Sequence, residues 1–177
     1  SHMDIAVLAY SIRLGYERFG FLAAKDYWFD NNFRQKFFKN FINLIPISRK
    51  QNPESLDLED TFTLSKGFIG LGNNIIMFPE GSRGVPGVLQ RFRKGTVKFS
   101  MGLDIPILPS VIVGTEKAWP KGESFMRPNN ITIKILPPFK SKDKSTLTEK
   151  AYNKELSTQT TKLEKMITKA LKELENK

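Results

Sequence analysis

Apolar residues fill most positions from Asp4 to Leu14, which predicts a short helix, and after Gly15 the run from Phe19 to Ala24 predicts a strand. From Asp26 onward Phe29, Phe33, Phe37 and Phe41 recur every four positions, with Trp28 and Phe38 beside them, the period of a helix with one aromatic face. That face suits a core, and Arg34, Lys36 and Lys39 next to it also suit a helix lying on an anionic bilayer. Leu44 to Ile47 reads as a strand, Pro53 marks a turn, and Leu56 to Leu71 reads as a helix whose acidic start agrees with the dipole of a helix N-terminus. Ile75 to Phe78 reads as a buried strand that runs into a loop containing Gly81 and Gly84. A basic helix from about Phe92 to Met101 follows, then the proline-interrupted strand "IPILPSVIV" and the alternating strand "ITIKIL" at 131–136. Beyond Pro137 and Pro138 the composition turns to Lys, Thr, Ser and Glu, while Leu163, Ile167, Ala170, Leu171 and Leu174 share one face of a C-terminal amphipathic helix.

Helices alternating with strands predict an α/β chain, and 177 residues with 40% hydrophobic content suffice for one domain with its own core. Charge narrows the partners. A formal net charge of +10 and a pI near 9.8 favour a nucleic acid, a phospholipid surface or a phosphorylated substrate. No zinc, helix-turn-helix or RNA-binding signature supports the first of these. The absence of cysteine excludes disulfides, thiolate catalysis and thiolate metal sites, and one histidine, His2, excludes a histidine-rich metal site. No apolar run approaches the roughly 20 residues of a membrane-spanning helix, and the first residues lack the order of a signal peptide. A soluble or peripheral chain is expected. Ser1-His2-Met3 reads as native sequence or equally as the scar of a cleaved tag.

The chemistry concentrates after the strand at 75–78. Between Gly81 and Leu103 stand five basic residues, Arg83, Arg91, Arg93, Lys94 and Lys98, and no acid. Arg83 lies where a planar guanidinium could grip a phosphate through two parallel hydrogen bonds. Lys94 precedes Gly95 at a helix start whose free N–H groups also favour anions. From charge alone a solvated basic helix face is as good a reading. Glu80 and Arg83 could pair as a surface ion pair, Arg49 could be a solvated charge at a strand end, and Asp4 alone reads as a helix cap.

The order of the residues alters that balance. "FPEGSRG", Phe78 to Gly84, resembles the Phe-Pro-Glu-Gly-Thr-Arg-Ser block of the glycerolipid acyltransferases, with Ser82 in place of the threonine. In the same order as in that family, "IPISR" (Ile45 to Arg49) resembles its second block, "RFRKG" the segment after the third, and "IPILPSVI" the Val-Pro-Val-x-Pro-Val block. "GTEKAWPKG" and "ITIKILPPF" are similar to its closing segments, so the likeness runs from about Asp4 to Phe139. The resemblance implies a mixed, mostly parallel sheet flanked by helices in a single acyltransferase domain over residues 1–140. Residues 141–177 would be a helical extension packed on or beside it.

The resemblance also implies an activity, the transfer of an acyl chain from acyl-CoA or acyl-carrier protein, as co-substrate, to the free hydroxyl of a lysophospholipid such as 1-acylglycerol-3-phosphate. No metal or bound cofactor is implied. The family's first block is Asn-His-x-x-x-x-Asp, and "SHMDI" fits its end with Asp4 as the aspartate that orients the histidine base. That histidine would lie five residues before Asp4, upstream of Ser1; His2, two residues away, would point to another face. The chain alone is therefore expected to be inactive. A glycerol hydroxyl attacks a thioester slowly without such a base, and the negative charge that develops on the thioester oxygen needs donors, for which the Gly81 region is a candidate. By resemblance Glu80, Gly81, Ser82 and Arg83 help bind the acceptor, with Arg83 and Arg49 on its phosphate and Lys94 nearby. Expected partners are an anionic membrane surface, at the cytoplasmic face of the cytoplasmic membrane, and acyl-carrier protein or a fused acyl-activating domain, with no nucleic acid. The rival reading is a catalytically inactive lipid-binding or scaffolding domain of the same fold.

Overall fold

In the computed structural model, residues 2–24, 43–47, 58–81, 88–120, 123, 125–142 and 147–176 are described. The aromatic stripe from Phe29 to Phe41, the turn at Pro53, and Arg49, Ser82 and Arg83 lie outside them. The chain forms two compact units, Ser1–Leu8 with Phe78–Lys177, and Ala9–Met77.

In the unit Ala9–Met77, β1 (Phe19–Ala24) is the middle strand of a parallel sheet of order β2-β1-β3, with β2 spanning Asn43–Ile47 and β3 Asn74–Ile76. Phe21 of β1 lies opposite Leu44 of β2 and Ile76 of β3. β2 and β3 flank β1 on opposite sides, so the chain crosses the sheet between them, and helix α2 (Leu58–Gly70) lies in that crossover, against both strands. Glu59 and Asp60 in its first turn place negative charge at the positive end of the helix dipole. Thr61 and Ser65, one turn apart, are fully buried, and their small side chains let the helix pack closely. Phe19, Phe21 and Ile45 supply the buried apolar surface.

Helix α1 (His2–Ser11) stops three residues short of the predicted Leu14. Arg13 adopts a left-handed φ of 53°, its N–H donates to the Tyr10 carbonyl at 3.2 Å, and the Leu14 N–H donates to the Ala9 carbonyl at 3.3 Å. Those two bonds satisfy carbonyls at the helix end and stop it there.

In the other unit, α3 (Gly95–Leu103), β4 (Ser110–Val113), the one-turn α4 (Thr115–Ala118), β5 (Thr132–Ile135) and the long α5 (Glu149–Glu175) follow in order, with β4 and β5 paired antiparallel. Phe92, Val97, Met101, Phe139, Leu156 and Leu163 form its core. Leu156, Thr160, Leu163 and Ala170 recur at helical spacing and make up the buried face of α5, whose charged residues line the other faces. The Thr148 hydroxyl caps α5 by accepting from the Ala151 N–H. The Ser100 hydroxyl donates to the Ile105 carbonyl at 2.6 Å and shares a contact of 2.6 Å with the buried Ser141 hydroxyl, so both polar groups are satisfied in the core.

Two predicted boundaries move. The strand expected at Ile75 to Phe78 ends at Ile76, because the Phe78 carbonyl accepts from the Gly81 N–H to close a turn, and Phe78 is 48% exposed rather than buried. The helix expected from Phe92 begins at Gly95: the N–H groups of Phe92 and Arg93 donate to the Glu164 carboxylate on α5 and to the Pro79 carbonyl, which tie this stretch to neighbouring segments ahead of the helix. The sheets agree with the expected α/β class and its mixed, mainly parallel strands.

Candidate active site

The block after β3 begins with a proline. Pro79 leaves no N–H to continue a ladder, and the chain turns from Phe78 to Gly81 through a 3.0 Å bond between the Gly81 N–H and the Phe78 carbonyl. Gly81 has φ of +69°, a conformation in which any other residue is strained. A Cβ there would also sit 2.7 Å from Arg93 Cδ, so the arginine stem crosses directly over the glycine. The Gly81 N–H is engaged in closing the turn, which removes it from the oxyanion donors expected of this region.

The segment that faces this turn is tied on both sides. Glu80 Oε2 accepts from the Gln90 N–H at 3.0 Å, and the Pro79 carbonyl accepts from the Arg93 N–H at 2.8 Å. Two residues beyond Gln90, Glu164 Oε2 on α5 accepts from the Phe92 N–H at 2.9 Å. Glu80, expected to meet the acceptor, thus also holds backbone. Exposed Arg91, Arg93 and Lys94 follow in sequence, with Lys94 immediately before α3. Its side chain makes no capping bond, as expected of a cation at a helix start, where side-chain acceptors are the usual caps.

Asp4 lies in the first turn of α1, and Thr115 Oγ1 donates to Asp4 Oδ1 at 2.6 Å. Thr115 is 7% exposed and opens α4. Gly114 before it has φ of +98°, and a Cβ there would fall 2.2 Å from the Asn130 carbonyl oxygen. The Gly114 carbonyl accepts from Asn129 Nδ2 at 2.9 Å, and its N–H donates to Glu116 Oε2 at 3.0 Å. A glycine is required, and the threonine that follows is held rigidly. A carboxylate fixed by a buried hydroxyl can orient a base, because its own rotamer is no longer free.

Asp4, Glu80, Gly81 and Lys94 belong to one compact unit. Ser82, Arg83 and Arg49 lie outside the described residues. Thr115, Gln90 and Glu164 escaped the sequence reading, although "GTE" within "GTEKAWPKG" marked Thr115 as following a glycine in a closing segment. Among the described residues no group of three or more His, Cys, Asp or Glu side chains could hold a metal ion.

Residues 1–113 match the family model described as Acyltransferase, and the chain belongs to that family. A 1-acyl-sn-glycerol-3-phosphate acyltransferase of Limnanthes alba is 44% identical over 70 residues, which are 40% of this chain and 25% of that protein. One from Cocos nucifera is 34% identical over 94 residues, 53% of this chain and 30% of that protein. The chain therefore spans about a quarter to a third of the length of these curated relatives. The crystal structure of the 1-acyl-sn-glycerophosphate acyltransferase PlsC from Thermotoga maritima superposes with a TM-score of 0.61 at 19% identity, over 90% of this chain and 58% of that one. The fold is that of PlsC.

Proposed function

We propose that the chain is the catalytic region of a 1-acyl-sn-glycerol-3-phosphate O-acyltransferase, which moves an acyl chain from acyl-CoA or acyl-carrier protein to the free hydroxyl of a lysophospholipid and makes phosphatidic acid. Membership of the acyltransferase family supports the reaction, and the names of the relatives support the acceptor. The observation that carries the mechanism is the Asp4 carboxylate held at 2.6 Å by the buried Thr115 hydroxyl.

In this reading a histidine five positions before Asp4, on protein N-terminal to Ser1, takes the proton of the acceptor hydroxyl. Asp4 holds its tautomer and stabilises the imidazolium. The alkoxide attacks the thioester carbonyl, the tetrahedral intermediate collapses, and the thiolate leaves with the proton returned by the imidazolium. Arg83 and Arg49 bind the acceptor phosphate, with Arg93 and Lys94 adding positive charge beside the Gly81 turn. The acyl donor is a co-substrate, and no cofactor takes part. No helix among the described residues is long and apolar enough to cross a membrane; the reading places the protein peripherally on an anionic bilayer, at the cytoplasmic face.

Lipid binding without transfer is the second reading, favoured by the spacing of two between Asp4 and His2, the chain's one histidine. Thiol release from an acyl thioester separates the two. The protein extended at its N-terminus should release thiol only when lysophosphatidic acid is present, and the chain from Ser1 should not. An extended protein that retains lysophosphatidic acid on a column but releases no thiol would establish the second reading instead.

A further inference from the structure

Residues 119–126 follow α4, with Lys121, Gly122 and Ser124 outside the described residues, and the chain meets the end of α4 again at Arg127. The Arg127 N–H donates to the Ala118 carbonyl at 2.8 Å, closing the base of the loop on a residue that is 1% exposed. Within it the Trp119 indole N–H donates to the Glu123 carbonyl at 2.8 Å, and Arg127 Nη2 pairs with Glu123 Oε1 at 2.9 Å. The loop is thus tied across its width, yet it presents adjacent large apolar side chains to solvent, Phe125 at 83% and Met126 at 64% exposure. Trp119, partly exposed, carries its N–H toward the loop backbone.

We infer that this loop is the element that docks the protein on an anionic lipid bilayer, with Phe125 and Met126 entering the interface and Trp119 at the level of the headgroups. Bulky side chains that gain nothing from solvent gain by burial among acyl chains, and an indole with a satisfied N–H suits the boundary. Charge selects the bilayer over a neutral surface. From Lys117 to Asn130 the sequence has three basic residues and one acid; Glu123 and Arg127 pair and cancel, which leaves Lys117 and Lys121 as the uncompensated charges of this stretch on a chain of net charge +10. The loop's root also bears on the chemistry. It leaves from the same one-turn helix whose first residue, Thr115, holds Asp4, so docking here brings the bilayer, where a lysophospholipid resides, to the helix that positions the carboxylate. The choice of a lipid occupant rests on the proposed acyl transfer to a lipid acceptor.

The test uses the chain with Trp28→Phe, which leaves Trp119 as its one tryptophan, and vesicles of phosphatidylcholine with or without a quarter of phosphatidylglycerol. The expected result is a blue shift of Trp119 on the anionic vesicles and quenching by bromine on the upper acyl carbons. Sedimentation of the unmodified chain with those vesicles should weaken about tenfold or more in the double variant Phe125→Ser, Met126→Ser, as loss of a buried aromatic anchor implies. Equal binding by the variant, absence of binding by the parent, or an unmoved Trp119 with a dimer that the variant abolishes would overturn the inference. Thiol release by the N-terminally extended protein with a soluble short-chain acceptor should be the same in the double variant. Loop-dependent docking without any thiol release would instead sink the acyltransferase reading and leave the docking surface standing.

Discussion

Within the unit formed by Ser1–Leu8 and Phe78–Lys177, the part inside residues 1–113, which match the family model, and the part at 114–177, beyond it, contribute different things. The first region carries Asp4, the Glu80–Gly81 turn and the basic residues before α3. The first region ties its own turn through Gln90 and Arg93, and the second adds the remaining support: Thr115 donates to Asp4, Glu164 accepts from Phe92, and Leu156 and Leu163 close the core against Phe92, Val97 and Met101. Groups that would meet substrate recur as a motif because chemistry fixes their type and order. Groups that fix a rotamer need only reach it, and here they come from the far end of the chain.

If the second region is structural support, its core should matter most. Leu163→Ala removes a side chain that is 1% exposed at the centre of the α5 contact and should destabilise the protein by about 2–5 kcal/mol. Denaturant unfolding would show it, and a loss under about 1 kcal/mol would make α5 an appendage. Thr115→Val keeps the shape and removes the donor to Asp4. In the N-terminally extended protein it should lower kcat about tenfold with KM for lysophosphatidic acid unchanged, and Thr115→Ser should restore most of the rate. A rise in KM alone would place Thr115 at the acceptor instead.

Smaller effects sharpen the contrast. Gly81→Ala forces a left-handed backbone on alanine and displaces the Arg93 stem, and it should cost about 1–2 kcal/mol of stability and weaken acceptor binding. A melting temperature equal to the parent's would show the turn to be pliable. Glu164→Gln keeps an acceptor for the Phe92 N–H and should cost below about 1 kcal/mol, since only the charge assistance is lost. A larger loss in urea would mean that Glu164 does more than hold Phe92.

The contrast also explains what could be read in advance. Phe19 to Ala24 was legible as β1 because local apolar pattern and tertiary role agree there, and the face of α5 was legible because Leu163, Ile167, Ala170 and Leu174 keep helical period over about three turns. The strand end at Ile76 and the late start of α3 were not, because backbone donors of Gly81, Phe92 and Arg93 pair with partners that propensity does not see. In the site, Asp4, Glu80 and Gly81 stood out by motif. Thr115 and Glu164 did not, since they lie 111 and 72 residues from the groups they hold. One-turn α4, with a glycine and a threonine at its start, offers no hydrophobic period to detect.

The most direct test of Asp4 as an orienting carboxylate held by Thr115 is a double-mutant cycle of Asp4→Asn and Thr115→Val on kcat for thiol release by the N-terminally extended protein, with folding checked by circular dichroism. Asp4→Asn alone should lower kcat about 10²-fold or more, and adding Thr115→Val should lower it no further, because the hydroxyl acts only through the carboxylate. Losses that multiply, or an Asp4→Asn protein that turns over at the parental rate, would contradict that role.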